Sequence, residues 1–435
     1  MSAAPGEDRS ADSYLPEHGN GGYRVEHYDL ELDYQVGPNR LSGDARITAV
    51  STQGLSRFSL DLADLRVRRV LVDGKPAKHT HSGGKLRVRP QRPIAEGTEF
   101  RVEVRYSGTP RPVRGRWGEI GWEELTEGSM VAAQPIGAPS WFPCNDHPAD
   151  KASYRVSFTA ASPFSVQVTG NLLSRKQRGS TTTHVFERPE PTSTYLMSVQ
   201  VGPYTDVELA DGEVPQRAAI PARLKELYAV DFGRHGEIMD CLSGLFGPYP
   251  FDEYVVVITD DELEDPVEAQ GMSIFGANHV DGQRTHERLV VHELAHQWCG
   301  NSVTIADWRH IWLNEGFATY AEWLWSERSG GPAAQAHAAD WHARIAADLR
   351  IGDPGASRMF DPQVYKRGAL TLHALRHELG DEPFFELLRR WATEHRHGAV
   401  TTADFTALAG EHANRDLDGF FTAWLDRTEL PPLPA

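Results

Sequence analysis

Apolar and polar residues alternate along 28–36, where Tyr28, Leu30, Leu32, Tyr34 and Val36 are separated by mostly polar positions. That two-residue period predicts a half-buried strand. Shorter runs of the same kind follow at 45–50, 58–62, 66–72, 86–88 and 100–106, with turn signals such as Asp73-Gly74 and Gly83-Gly84 between them. A further set stands at 154–158, 165–168 and 195–201. From residue 222 the spacing of apolar residues turns helical, and helices are predicted at 222–228, 236–246, 285–298, 315–329, 333–349, 364–379, 383–395 and 402–412. One strand interrupts them, at 254–258, followed by an acidic loop over 260–268. The expected fold class is α+β: a flexible tail over 1–22, an antiparallel β domain over 23–209, and a mainly helical domain over 210–435.

The helix over 285–298 carries the most specific chemistry. No Gly or Pro falls between Thr285 and Trp298, and the segment reads Val291-His292-Glu293-Leu294-Ala295-His296. Residues four apart share a helix face, so the two imidazoles point at a common centre. Two imidazoles leave a zinc ion short of protein ligands. The candidate for the third is Glu315, which opens the next helix, with Glu322 two turns later on the same face. Three protein ligands and one open position describe a catalytic zinc site. Glu322 is then a candidate partner for the outer nitrogen of a ligand imidazole. Glu293, beside the ligands without being one, is the candidate general base toward a metal-bound water. The bland alternative is a solvated helix that happens to carry His and Glu.

Length and charge narrow the class. A chain of 435 residues, 40% of them hydrophobic, suits two or three cored domains. A net charge of -17 argues against nucleic acid or an anionic membrane as partner and suits a substrate with a cationic group. Cys144, Cys241 and Cys299 are odd in number and far apart, as free thiols in a reducing compartment are. The first 22 residues lack the apolar centre of a signal peptide, and no stretch reaches transmembrane length. The expected location is the cytoplasm.

With Glu315 nineteen positions after the second histidine of His292-Glu293-x-x-His296, the chain resembles the M1 (gluzincin) aminopeptidases from about Tyr23 onward. The resemblance implies a thermolysin-like catalytic domain, one zinc per chain and a peptide substrate cut at its amino-terminal bond. It also implies roles outside the metal helix. Tyr365, in Val364-Tyr365-Lys366-Arg367-Gly368, matches the family's transition-state tyrosine, with Arg367 in a lysine's place and its charge kept. Gln134, ten residues before Cys144 in a Pro- and aromatic-rich loop, matches a residue that helps to bind the substrate's amino terminus. The glutamate that receives the α-ammonium is implied to be Glu268, although the surrounding motif is eroded and an alternative register puts Ser273 there. Cys144 and Cys299 read as structural. The residues after Tyr365 suffice to complete the catalytic domain, so a short form without the large C-terminal helical domain is expected, its cleft open beyond the scissile bond. A zinc endopeptidase or other hydrolase on the same scaffold, or a peptide-binding protein without turnover, are the competing readings.

Overall fold

The alternation over 28–36 folds as part of strand β1 (Tyr23–Gln35), with Tyr28, Leu30, Leu32 and Tyr34 buried in the core. The computed structural model describes residues 3–210 and 212–434. β1 pairs antiparallel with β2 (Arg40–Ser51), and β2 pairs antiparallel with β3 (Glu99–Gly108). On the other side of β1 lies β4 (Ala152–Ala161), which pairs in turn with antiparallel β5 (Thr181–Thr192). These belong to one eight-stranded sheet, antiparallel except that β4 runs parallel to β1. A parallel neighbour needs a long crossover, and here the chain leaves β1 at Gln35 and returns only at Ala152. The loop over 134–148 is tightly held: Trp141, Phe142 and Cys144 are fully buried, and Cys144 exchanges backbone hydrogen bonds with Asp61.

The chain forms two compact units, the first of residues 1–207, 218–223 and 255–278, the second of 208–217, 224–254 and 279–435. This differs from the single cut expected at 209/210. The strand pairing around the acidic loop is the reason. β6 (Tyr254–Ile258) pairs in parallel with β8 (Met272–Phe275), which is the hairpin partner of β7 (Val267–Ala269). Residues 254–275 thus hold three paired strands, and the acidic loop between the first two is confined to 259–266.

The stretch expected as a flexible tail also differs. Ala4–Pro5 pairs with the strand Leu55–Asp61. Further on, Asn20 Nδ2 donates to Asp61 Oδ2 at 2.8 Å, and Lys85 Nζ donates to Asn20 Oδ1 at 3.0 Å and to the Gly19 carbonyl at 2.9 Å. A polar composition offers no apolar anchor, but buried polar groups that satisfy one another anchor equally well.

The second unit holds nine α-helices among the described residues: α1 (Lys225–Asp231), α2 (His235–Phe246), α3 (Glu287–Ala295), α4 (Trp312–Arg328), α5 (Ala334–Arg344), α6 (Pro362–Leu379), α7 (Asp381–Glu394), α8 (Thr402–Ala413) and α9 (Asp418–Phe421). α4 is buried from Trp312 to Trp325 and packs against both α3 and α6. Where α4 crosses α6, two glycines meet. A Cβ on Gly368 would stand 2.7 Å from the Cα of Gly316, so neither position has room for a side chain. Gly316 follows Glu315, and Gly368 lies one turn after Tyr365, so this crossing sets how close those two residues come to α3.

Candidate metal centre

α3 has no polar face to spare: every residue from Val290 to Ala295 is buried, His292 and Glu293 included. Burying imidazole and carboxylate is costly unless each finds a partner, and the partners come from α4. Glu315 Oε2 lies 3.5 Å from His292 Nε2 and 3.4 Å from His296 Nε2. The three side chains offer ligand atoms within 4.8 Å of one another. Ligands about 2.0–2.1 Å from a tetrahedral zinc stand roughly 3.3–3.4 Å apart, so the two histidine–glutamate edges fit a zinc ion.

The outer nitrogens are held. His292 Nδ1 bonds Glu322 Oε1 at 2.8 Å, and His296 Nδ1 faces the Cys299 carbonyl at 3.3 Å. Each ring is thereby oriented with Nε2 toward Glu315, as a ligand imidazole requires. Electrostatics agree. Burial opposes charge on His292, yet hydrogen bonds to Glu315 and Glu322 outweigh it and raise its pKa to about 9. For Glu315 burial also opposes charge, but the two histidines overcome it and hold the carboxyl well below its usual range. A pocket that draws a proton this strongly draws a divalent cation by the same field.

Tyr365, in the first turn of α6, lies with its ring nearly parallel to His292, centroids 6.1 Å apart. The second unit therefore brings together His292, His296, Glu315, Glu322 and Tyr365, with Glu293 next to His292 on α3.

Gln134 and Glu268 lie in the first unit and meet there: Gln134 Nε2 donates to Glu268 Oε1 at 2.7 Å. Glu268 is buried and sits on β7, at the edge of its sheet, rather than in the acidic loop expected for it. In the hairpin its register partner is Ser273 of β8. The two registers weighed from sequence thus fall on facing strands, and it is Glu268 that takes the amide of Gln134.

Arg367 keeps its cation in the lysine's place but turns it inward. Its charge stays inside the helical unit, where the guanidinium donates to the carbonyls of Trp424 and Leu349, and to those of Ala423, Arg427, Thr428 and Glu429. It ties the C-terminal segment to α6. Two further cations that local sequence pattern does not single out, Arg288 and Lys366, stand 3.6 and 3.9 Å from Glu322 Oε2. Arg288 sits four residues before His292 on α3, a spacing that could have pointed to it. Cys299 is fully buried and its thiol pKa is pushed up by burial, the state of an inert core thiol.

Known proteins with this architecture share the chemistry. The Peptidase family M1 domain model matches residues 232–424, and the Peptidase M1 N-terminal domain model matches 24–196. An M1 zinc metallopeptidase from Deinococcus radiodurans has a crystal structure 34% identical in sequence, with a TM-score of 0.88 over 98% of this chain and 98% of that one. A mutant of the Deinococcus enzyme bound to a Tyr-Ser-Ala substrate aligns with a TM-score of 0.89 at 32% identity, over 98% of this chain and 99% of that one. Leucine aminopeptidase 2 of Ajellomyces capsulatus is 24% identical over 95% of this chain and 71% of its own length. Fold and relatives converge with the donor chemistry of α3 and α4, and the chain belongs to peptidase family M1 as a zinc metalloaminopeptidase.

Proposed function

We propose that this enzyme releases amino-terminal residues from peptides, with His292, His296 and Glu315 holding the zinc. The observation that carries the assignment is the buried triangle of two imidazoles and one carboxylate at tetrahedral spacing. Bound zinc supplies Lewis acidity at the scissile carbonyl and makes water a nucleophile near neutral pH. Glu293 accepts the proton of the attacking water and passes it to the leaving amine. The Tyr365 hydroxyl donates to the carbonyl oxygen as negative charge grows there. Glu322 keeps His292 in the ligating tautomer and orientation. Glu268, fixed by the Gln134 amide, presents its carboxylate to the α-ammonium of the substrate.

A peptide substrate is supported by the Tyr-Ser-Ala complex of the Deinococcus relative, and amino-terminal action by the leucine aminopeptidases. A panel of aminoacyl fluorogenic substrates with N-acetylated controls tests the assignment. Cleavage of the free amines alone is expected. Equal cleavage of both sets would move the enzyme to the endopeptidases. We also place it in the cytoplasm, because all three cysteines are free. Cell fractionation finding it outside that compartment would refute the placement.

A further inference from the structure

Behind His292 the helical unit has a second cleft, of about 710 Å³, lined by residues of α3, α4, α5 and α6 and bounded by Glu322. That volume is in the range of small-molecule sites. The chain as a whole is acidic, yet this cleft sets Arg234, Arg288, Arg344 and Lys366 against Glu287 and Glu322. Most of these charges are already engaged. Glu287 faces Arg234 at 3.4 Å and accepts from Trp325 Nε1 at 3.1 Å, while Arg344 pairs with Asp340 at 2.6 Å. Glu322 spends Oε1 on His292.

Lys366 and Arg288 remain. Both stand beyond hydrogen-bonding reach of Glu322 Oε2, at 3.9 and 3.6 Å. The Lys366 side chain is only 15% exposed, and its other neighbour is the Trp341 ring, 5.2 Å from the ammonium. Among the described residues it has no hydrogen-bond acceptor, although an ammonium carries three donors. Burial lowers its pKa, and Arg288 and Arg344 add repulsion against the pull of Glu322. A half-buried cation with no hydrogen-bond acceptor among the described residues, beside a second cation and facing an open cleft, matches an anion.

We propose that this cleft binds a small monovalent anion, a carboxylate or a halide, between Lys366 and Arg288, and that Glu322 couples it to His292. The anion supplies the missing acceptor and draws both cations from Glu322 Oε2. Glu322 is then left to His292 with less competition, which strengthens the hold on that ring.

The test uses the zinc-loaded protein and intrinsic tryptophan fluorescence, which Trp341 makes sensitive to the cleft. Acetate and chloride are the probes, with acetamide as the uncharged control. A saturable change with acetate, or with both anions, and none with acetamide is expected. Saturation by acetate alone assigns organic carboxylates as the natural occupants, and saturation by both assigns any small anion. The affinity should fall at least about tenfold in Lys366→Met, the size expected for losing a charge-assisted hydrogen bond, and measurably in Arg288→Gln. Saturating anion should also slow zinc release to a chelator in the wild type. No saturable response to either anion, an equal response to acetamide, or undiminished affinity in both variants would overturn the site, and an unchanged release rate would overturn the coupling. If Lys366→Met does not fold, Arg288→Gln decides alone, its side chain being 61% exposed.

Discussion

At the scale of single residues, Glu293 and His292 separate chemistry from metal binding. Glu293 is buried on α3 beside the ligands but belongs to no edge of the His292–His296–Glu315 triangle. Glu293→Gln should therefore keep stoichiometric zinc while lowering kcat by about 10²–10⁴-fold, the usual worth of a positioned general base. Metal analysis and steady-state kinetics on the same preparation check both halves. His292 governs how zinc uptake depends on pH. Its pKa in the zinc-free protein is raised to about 9. The stabilisation from its charged ring is thus full below the ordinary histidine value near 6.5 and is lost as pH rises through 9. Zinc needs the neutral ring, so the ion must expel that proton, and affinity runs the opposite way. Zinc binding should weaken by about tenfold from pH 7.5 to 6.5, one displaced proton per ion, in a competition titration against a chelator of known affinity.

At the scale of elements, the α4–α6 crossing is the part most sensitive to small changes. Gly316 and Gly368 touch backbone to backbone, and a methyl at either would overlap the other helix. Gly368→Ala should cost about 1–3 kcal/mol by overpacking. It should also push α6, and Tyr365 with it, away from α3. A fall in kcat larger than any change in zinc content is the expected outcome, and activity equal to wild type would show that the crossing can relax without moving Tyr365. Arg367 works on the same helix from the other side. Its fork of donors spans several carbonyls that a single ammonium could not reach together.

At the scale of the molecule, the two units should respond differently to the metal. All three candidate ligands lie in the helical unit. Zinc present at a thousandfold its Kd stabilises whatever binds it by about 4 kcal/mol, which for a unit of this size shifts Tm by roughly 10 °C. Chelation should lower the unfolding temperature of the helical unit by that amount and leave the β unit's transition in place. Calorimetry with and without chelator resolves the two. A common shift of both transitions would show that the units unfold as one.

The sequence by itself determined what depends on local period and fixed spacing. Four residues of helix put His292 and His296 on one face, seven separate Glu315 from Glu322, and the alternation over 28–36 could only be a half-buried strand. Those features hold whatever surrounds them. Strands that turn a polar side outward, such as Asn171–Arg178, gave no such period, because most of their residues face solvent. The tertiary structure alone decided the rest. It paired 267–269 with 272–275 and the latter with the strand at 254–258, joined Gln134 to Glu268 across 134 positions of chain, and gave Glu268 the Gln134 amide. It also turned the Arg367 charge inward to the C-terminal carbonyls and left Lys366, among the described residues, without a hydrogen-bond acceptor. Each of these is a contact between residues far apart in the chain. No local pattern encodes such contacts, because their energy comes from partners that folding alone brings within reach.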